Sequence, residues 1–365
     1  MHRFMKKMTV EKYIALLLLL ILAIIPAFSG LYTVRLMGRY ITYMILALAL
    51  DLLWGYGGLM NLGFAVFFGI GGYIVGISLA CQTGVPAFMQ SGGFTEIPAI
   101  FRPLLNVPLA VILAIAIPAL VAFIMGYFIF TSKIKGVFFN LITLAFAAMF
   151  ELFIQTYQSY TGGSSGVNGI ARGLNGASIF GVEISITGWY YIAFAALVVV
   201  YLFMLWLTQS RFGKVIKSVR DNEARLQFLG YNPAVFKIAL FCIASAIAGF
   251  AGALYIPMSS FISIENAGVT FSTMLLIWLA VGGRGNLTGA MLGALVVSLL
   301  QSRLSTAVGD MWHLVLGIVL ILIVVFLPKG IIGTLSDWQY ARRAEKTRSL
   351  PDSTESRQEA KHGVS

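Results

Sequence analysis

Two carboxylates stand inside otherwise apolar stretches: Asp51 in LALALDLLWGY and Glu151 in LAFAAMFELFIQTY, with Gln155 one turn beyond Glu151 on the same helical face. A carboxylate facing lipid costs about 2.5 to 3.5 kcal/mol at the bilayer centre on insertion scales, so both are expected to face a bundle interior. There they would line a path for a polar solute. Helix ends in the headgroup zone, or pairing to a backbone group, account for them as well. Catalysis has no comparable support, because the three histidines, His2, His313 and His362, form no His/Asp or His/Cys arrangement. Cys81 and Cys242 lie far apart in apolar surroundings, so neither a disulfide framework, a metal site nor a bound cofactor is expected. The chain lacks G-x-x-x-x-G-K-S/T and is not expected to bind ATP by itself.

The one long internal run that is polar and charged is Gln209 to Pro233, QSRFGKVIKSVRDNEARLQFLGYNP. Phe212, Val215, Ile216 and Val219 recur three or four residues apart with lysines between them, which gives a helix with one apolar face. Asp221 and Asn222 can cap a second short helix, Glu223 and Ala224 suit its first positions, and Gly230 with Pro233 would end it. Such a basic amphipathic segment is a solvated connection, a stretch lying on the lipid surface, or a lever gripped by a partner.

Three glycine-rich segments interrupt the apolar runs. Trp54 to Gly63 contains Gly57, Gly58, Asn61 and Gly63, Thr161 to Gly169 comes after the fifth run, and Gly282 to Leu287 contains Gly282, Gly283, Arg284 and Gly285. Irregular backbone at membrane depth is tolerated only where protein buries it or where it lines a wet cavity. The first and third, flanked by apolar residues, are expected to be broken or re-entrant helices beside a pathway. The middle one fits a surface turn equally well. The pattern GGxxNL occurs at Gly57 to Leu62, and Gly282 to Leu287 repeats its glycines, asparagine and leucine.

Composition sets the class. Apolar residues make up 59% and charged residues 11%, well below the quarter or so of a soluble domain. The expectation is an all-α polytopic membrane protein with about ten full or half crossings. At about 20 residues per crossing, these lie near 13–32, 40–56, 62–82, 104–130, 137–157, 188–207, 235–257, 270–283, 287–302 and 311–328, the eighth and ninth being short enough for half-crossings. The first run also resembles a secretory signal with PAFSG as a cut site, but a retained span is preferred because further membrane helices come after it.

The 25 Lys and Arg residues orient the chain. With the amino end inside, about twenty fall on cytoplasmic segments and about five, Arg35, Arg39, Arg102, Arg172 and Arg303, on outer ones. Both termini are therefore expected in the cytosol. Residues 1–335 form the membrane domain, and 336–365, rich in charge and poor in apolar residues, are expected to be a disordered cytoplasmic tail. The net charge of +11 is placed beside membrane spans, and no nucleic-acid motif accompanies it.

DLLWGYGGLMNLGFAVFFGIGGY, RFGKVIKSVRDNEARLQFLGYNPAVFKIALFCIASAIAGFAGALY, IWLAVGGRGNLTGAMLGAL and FLPKGIIG occur in the order found in the permease family of ABC importers for branched-chain amino acids and urea, which the chain resembles from about Leu46 to Gly333. The resemblance implies an importer-type ABC transmembrane domain in the bacterial inner membrane. It also implies a second, homologous permease, two cytoplasmic ATPase subunits and a periplasmic solute-binding protein as partners, with membrane lipid around them. The segment from Arg211 to Pro233 resembles the one received by a cleft in the ATPase, which makes Arg211, Arg220, Asp221, Asn222, Glu223, Ala224, Arg225 and Gly230 its coupling residues. Asp51, Asn61, Glu151 and Gln155 are the expected pathway residues. WGYGGLMNLG, RDNEARLQFLGYNP and AVGGRGNLTGA look closer to urea and short-amide members, TGGSSGVNGI closer to amino-acid members. Asn61 and Phe64 stand in NLGF where many relatives carry SLGH. Two other classes remain: a stand-alone secondary transporter or channel using Asp51 and Glu151 as a relay, and a membrane enzyme acting on lipid.

Overall fold

The computed structural model describes residues 2–134, 136–170 and 185–308, together with 178–179, 182–183, 317–318 and 330. Lys135, Arg172, His313, the tail 336–365 and all of the tenth expected span except 317–318 lie outside these residues. The described chain is helical: α1 (His2–Phe28), α2 (Leu31–Asp51), α3 (Ala65–Ala80), α4 (Ala87–Ser91), α5 (Val107–Thr131), α6 (Val137–Thr156), α7 (Gln158–Thr161), α8 (Ile186–Gln209), α9 (Arg211–Asp221), α10 (Glu223–Phe228), α11 (Pro233–Ser259), α12 (Val269–Gly282) and α13 (Leu287–Val308). A two-residue antiparallel pairing, Ser178–Ile179 with Val182–Glu183, lies before α8.

Among the described residues seven helical stretches are long and apolar enough to cross a membrane, and Lys12–Phe28 and Ala65–Ala80 are shorter apolar helices. They coincide with the first nine expected spans, with two differences. The second span starts at Leu31 rather than 40, because Arg35 and Arg39 continue the helix instead of interrupting it. The eighth and ninth are long enough for full crossings: a 3-10 turn at Ile264–Asn266 extends the eighth to Ile264–Gly282, and α13 has 22 residues, about 33 Å at 1.5 Å per residue. The short crossing is α3, whose 16 residues span about 24 Å and are nearly all buried.

The centre of the bundle is α11, packed against α5, α3 and α2. Small residues let these backbones approach closely. A Cβ on Gly71 would strike the Gly249 carbonyl, and one on Gly252 would strike the Phe68 carbonyl. Beside this seam Tyr43 packs on Tyr255, Phe271 and Trp278, with ring centroids 5.7, 5.5 and 5.1 Å away. By contrast α5 and α6 expose Phe123, Phe128, Phe138 and Leu152, a surface suited to lipid or to another subunit.

The helices run alternately up and down. One end of the bundle brings together Lys12, Tyr56, Gln209, Lys217 and Gly285 around one cavity, and Thr131, Lys133, Glu223 and Asn232 around another. This is the end that the excess of Lys and Arg assigns to the cytosol. At the opposite end Val85 to Gly92 face Gln158 to Gly169 across a third.

Candidate functional site

The polar run folds as two short helices whose ends are set by its own side chains. Ser210 Oγ accepts from Gly213 N–H at 3.3 Å and opens α9, and Asn222 Oδ1 accepts from Arg225 N–H at 3.0 Å and opens α10. Gly230, at φ +83°, ends α10, and Asn232 Oδ1 accepts from Ala234 N–H at 3.1 Å to start α11 with Pro233 as its first residue. Gly213, Ile216 and Val219 form the buried face of α9. Arg211, Asp221, Asn222, Ala224 and Arg225 are exposed.

Beneath α9, helix α2 widens at Leu52–Tyr56 into a π turn, with Gly57 N–H donating to the Leu52 carbonyl five residues back at 3.1 Å. The widened turn presents carbonyl groups that an ordinary helix would consume, and one is used at once: Arg220 Nη1 donates to the Gly55 carbonyl at 2.7 Å. The same guanidinium is held by Asp221, at 3.0 Å from both Nε and Nη2 to Oδ1. Gly58 lies at φ +71° under the Arg220 stem, where a Cβ would be both strained and crowded. Lys217 Nζ stands 5.0 Å from the centre of the Tyr56 ring.

The second break meets the first here. Asp51 is fully buried and its Oδ1 accepts from Gly285 N–H at 2.6 Å, joining residues 234 positions apart. Any side chain on Gly55 would collide with this carboxylate and with the Gly285 backbone. Arg284 lies over the Trp54 ring at 5.6 Å and closes the junction from the other side. A chain of contacts therefore runs from Arg220 through Gly55 to Gly285 and Asp51.

The two related segments, at Gly57 to Leu62 and Gly282 to Leu287, share local geometry. Each has glycine at positive φ, and each carries, just before its final leucine, an asparagine that caps the next turn. Asn61 Oδ1 accepts from Gly63 N–H at 2.8 Å, and Asn286 Oδ1 accepts from Thr288 N–H at 3.1 Å and Gly289 N–H at 3.2 Å. Gly63 packs against the Thr143 backbone. The turn after Asn61 is buried and held by neighbouring helices: Leu62 N–H donates to Thr143 Oγ1 at 3.2 Å and Ala65 N–H to Ser272 Oγ at 3.1 Å. Irregular backbone inside the bundle is satisfied by protein, as it must be.

Glu151 lies elsewhere. Its Oε1 accepts from Val269 N–H at 2.7 Å, the first residue of α12, so a carboxylate from α6 caps another helix across 118 residues. Gln155 is exposed and does not join it. A carboxylate at a partly buried helix amino end contributes up to about 2 kcal/mol. Glu151→Gln is therefore expected to lower the melting temperature by several degrees, while a shift in the proton dependence of uptake would instead mark it as a relay.

The coupling residues expected from sequence divide by direction. Glu223 turns inward, its Oε2 3.0 Å from Nζ of Lys237, whose side chain is 9% exposed. Lys237 stays at the cytoplasmic end of the bundle, but its side chain is buried, a feature its position in the sequence does not reveal. Sequence reasoning also misses the tip of the loop. Phe228 is 92% exposed, Leu229 69% and Tyr231 47%, an apolar knob facing away from the bundle. Three large apolar residues at the end of α10 and before α11 were the available signal.

The family model described as the permease component of branched-chain amino acid transport systems matches residues 32–324. The high-affinity branched-chain amino acid transport system permease protein LivM of Escherichia coli (strain K12) is 25% identical over 89% of this chain and 76% of its own length. The probable branched-chain amino acid transport permease protein LivM of Methanocaldococcus jannaschii is 28% identical over 80% of this chain and 90% of its own. The corresponding LivH protein of Salmonella typhimurium is 30% identical over 53% of this chain and 64% of its own. No solved structure matches. The match spans both breaks, the loop between them and the long apolar helices of a multi-pass inner-membrane transport subunit, and the chain belongs to the family of branched-chain amino acid transport system permease components.

Proposed function

We propose that this chain is the permease subunit of an ATP-driven ABC importer and carries a branched-chain amino acid inward by alternating access. A second, homologous permease completes the pathway, a periplasmic binding protein delivers the solute, and two cytoplasmic ATPase subunits supply the energy. The observation that carries this reading is the form of the Gln209–Pro233 loop. It offers an apolar knob outward at Phe228 and Leu229 and grips a broken membrane helix inward through Arg220 and Gly55. A part with one face for a partner and one for a helix break is suited to passing motion between them.

Closure of the ATPase pair on ATP would move the loop, and the loop would move the paired breaks at Gly55 and Gly285. The bundle shifts between outward and inward states only by the difference in partner affinity for each state. No tight solute site within this chain is needed. Asp51 and Asn61, buried at the breaks, would set the stiffness of the joint beside the pathway, and Glu151 would hold the outer end of α12.

The amino-acid assignment is supported by the names of the relatives. Urea or a short amide is the second reading, favoured by WGYGGLMNLG and RDNEARLQFLGYNP. Vesicles carrying the assembled complex and its binding protein separate the two. Labelled leucine uptake is expected to need ATP and to be suppressed by excess isoleucine or valine but not by urea. Suppression by urea, with leucine a poor substrate, would move the assignment to the second reading.

A further inference from the structure

A cavity of about 480 Å³ opens at the cytoplasmic end of the bundle, between the start of α1, the end of α8, the inner face of α9 and the turn before α13. Three cations line it, Lys12, Lys217 and Arg220, against one carboxylate, Asp221. Asp221 is committed to Arg220, at 3.0 Å. Among the described side chains no carboxylate lies within ion-pair distance of Lys12 or Lys217. Burial and the neighbouring Arg220 pull the Lys217 ammonium below the usual lysine range, with Asp221 working the other way. Positive charge is thus concentrated without full compensation, and the amino end of the long helix α13 adds to it.

The remaining wall combines apolar surface from Tyr56, Tyr201, Leu205 and Leu287 with the polar side chains of Thr208, Gln209, Asn286 and Thr288. Tyr201 and Leu205 stand on the last turns of α8, which ends at Gln209, the level at which a membrane span reaches the headgroups. A cationic floor with polar groups near it and the apolar side of Tyr201, Leu205 and Leu287 at that depth matches a molecule with an anionic, hydrogen-bonding head and a hydrocarbon body.

We propose that this cavity binds the phosphodiester head of an anionic phospholipid from the cytoplasmic leaflet, with Lys12, Lys217 and Arg220 on the phosphate and Leu205 against the acyl chain. Juxtamembrane cations are each worth roughly a factor of five toward anionic lipid, so three converging on one phosphate give strong preference over a zwitterionic lipid. Arg220 also holds the Gly55 carbonyl. A lipid here therefore bears on the residue that joins the loop to the break, and the leaflet's composition would tune the joint. The inference rests on the cavity and does not require the solute or the ATPase to be as proposed above.

The test is lipid retention by the full-length protein. In nanodiscs of mixed phosphatidylglycerol and phosphatidylcholine, mass spectrometry of the gently delipidated protein is expected to find phosphatidylglycerol retained in preference. Lys12→Gln with Lys217→Gln is expected to reduce that retention by about 25-fold. Lys217→Arg, which keeps the charge, and Lys214→Gln, on the exposed side of the same helix, should retain it, and circular dichroism of each variant establishes that it is folded. Equal retention in the double variant would overturn the proposal. So would displacement of the lipid by excess inorganic phosphate, which would identify a site for a free phosphate.

Discussion

Arg220→Ala is expected to leave the protein folded in the membrane and to cut ATP-dependent uptake by about 10- to 100-fold, while ATP hydrolysis by the assembled complex continues. The size is set by the bonds removed. A hydrogen bond from a charged donor is worth about 1.5 to 3 kcal/mol, and each 1.4 kcal/mol is a factor of ten. Here the Gly55 carbonyl loses its guanidinium partner at 2.7 Å. Gly55 tolerates no side chain because Asp51 and Gly285 press against it, so slack at this point separates the loop from both breaks. Arg220→Lys keeps the charge but not the fork that reaches Gly55 and Asp221 together, and is expected to recover only part of the loss. Uptake and hydrolysis measured on the same vesicles decide the matter. A parallel fall in both would mean that Arg220 serves assembly rather than transmission.

The second large effect concerns the ion pair behind the loop. Glu223→Gln removes the partner of Lys237, a buried lysine of α11, and breaking such a pair from one side costs about 3 to 5 kcal/mol in buried cases. Glu223 retains some exposure, with 20% of its side chain accessible, so the lower end of that range is expected. The Phe130 ring, 5.9 Å from the ammonium, compensates only slightly. Lys237→Met on its own should cost less, because Glu223 can turn toward water. The double substitution should recover much of the loss, since two neutral side chains fill the same space without a stranded charge. Melting of the four proteins in one detergent gives the coupling energy directly. Strict additivity would show that the pair contributes nothing beyond its separate residues.

The parts of this molecule governed by local rules were legible in its sequence. Asn222 and Gly230 set the ends of α10 as their types require, Pro233 opens α11, and the apolar runs became helices near their expected limits. The breaks at Gly57–Gly63 and Gly282–Gly285 were equally visible, because glycine clusters between apolar stretches have few other uses. What joins them was not. The bond from Gly285 to Asp51 spans 234 residues, and that from Val269 to Glu151 spans 118; no periodicity carries such information. Helices apolar on every side also conceal their orientation. The sequence does not distinguish α3, buried almost throughout, from α5, much of which is exposed. Asp51 and Glu151 were recognisable as carboxylates that must find partners, and each accepts through one oxygen from a backbone N–H at the start of a helix or turn, Asp51 Oδ2 being left buried without a partner among the described residues. Gln155 shared a helical face with Glu151 but lies beyond the buried zone.

On the proposed reading, energy enters through Phe228 and Leu229, leaves through Arg220 and comes from another polypeptide. The most direct measurement is solute uptake into vesicles holding this chain with its companion permease and binding protein, with the ATP-hydrolysing subunits present or omitted. The account predicts accumulation against a gradient only when those subunits and ATP are both supplied. Accumulation without them, driven by a proton or ion gradient, would contradict it and return Asp51 and Glu151 to the role of a relay.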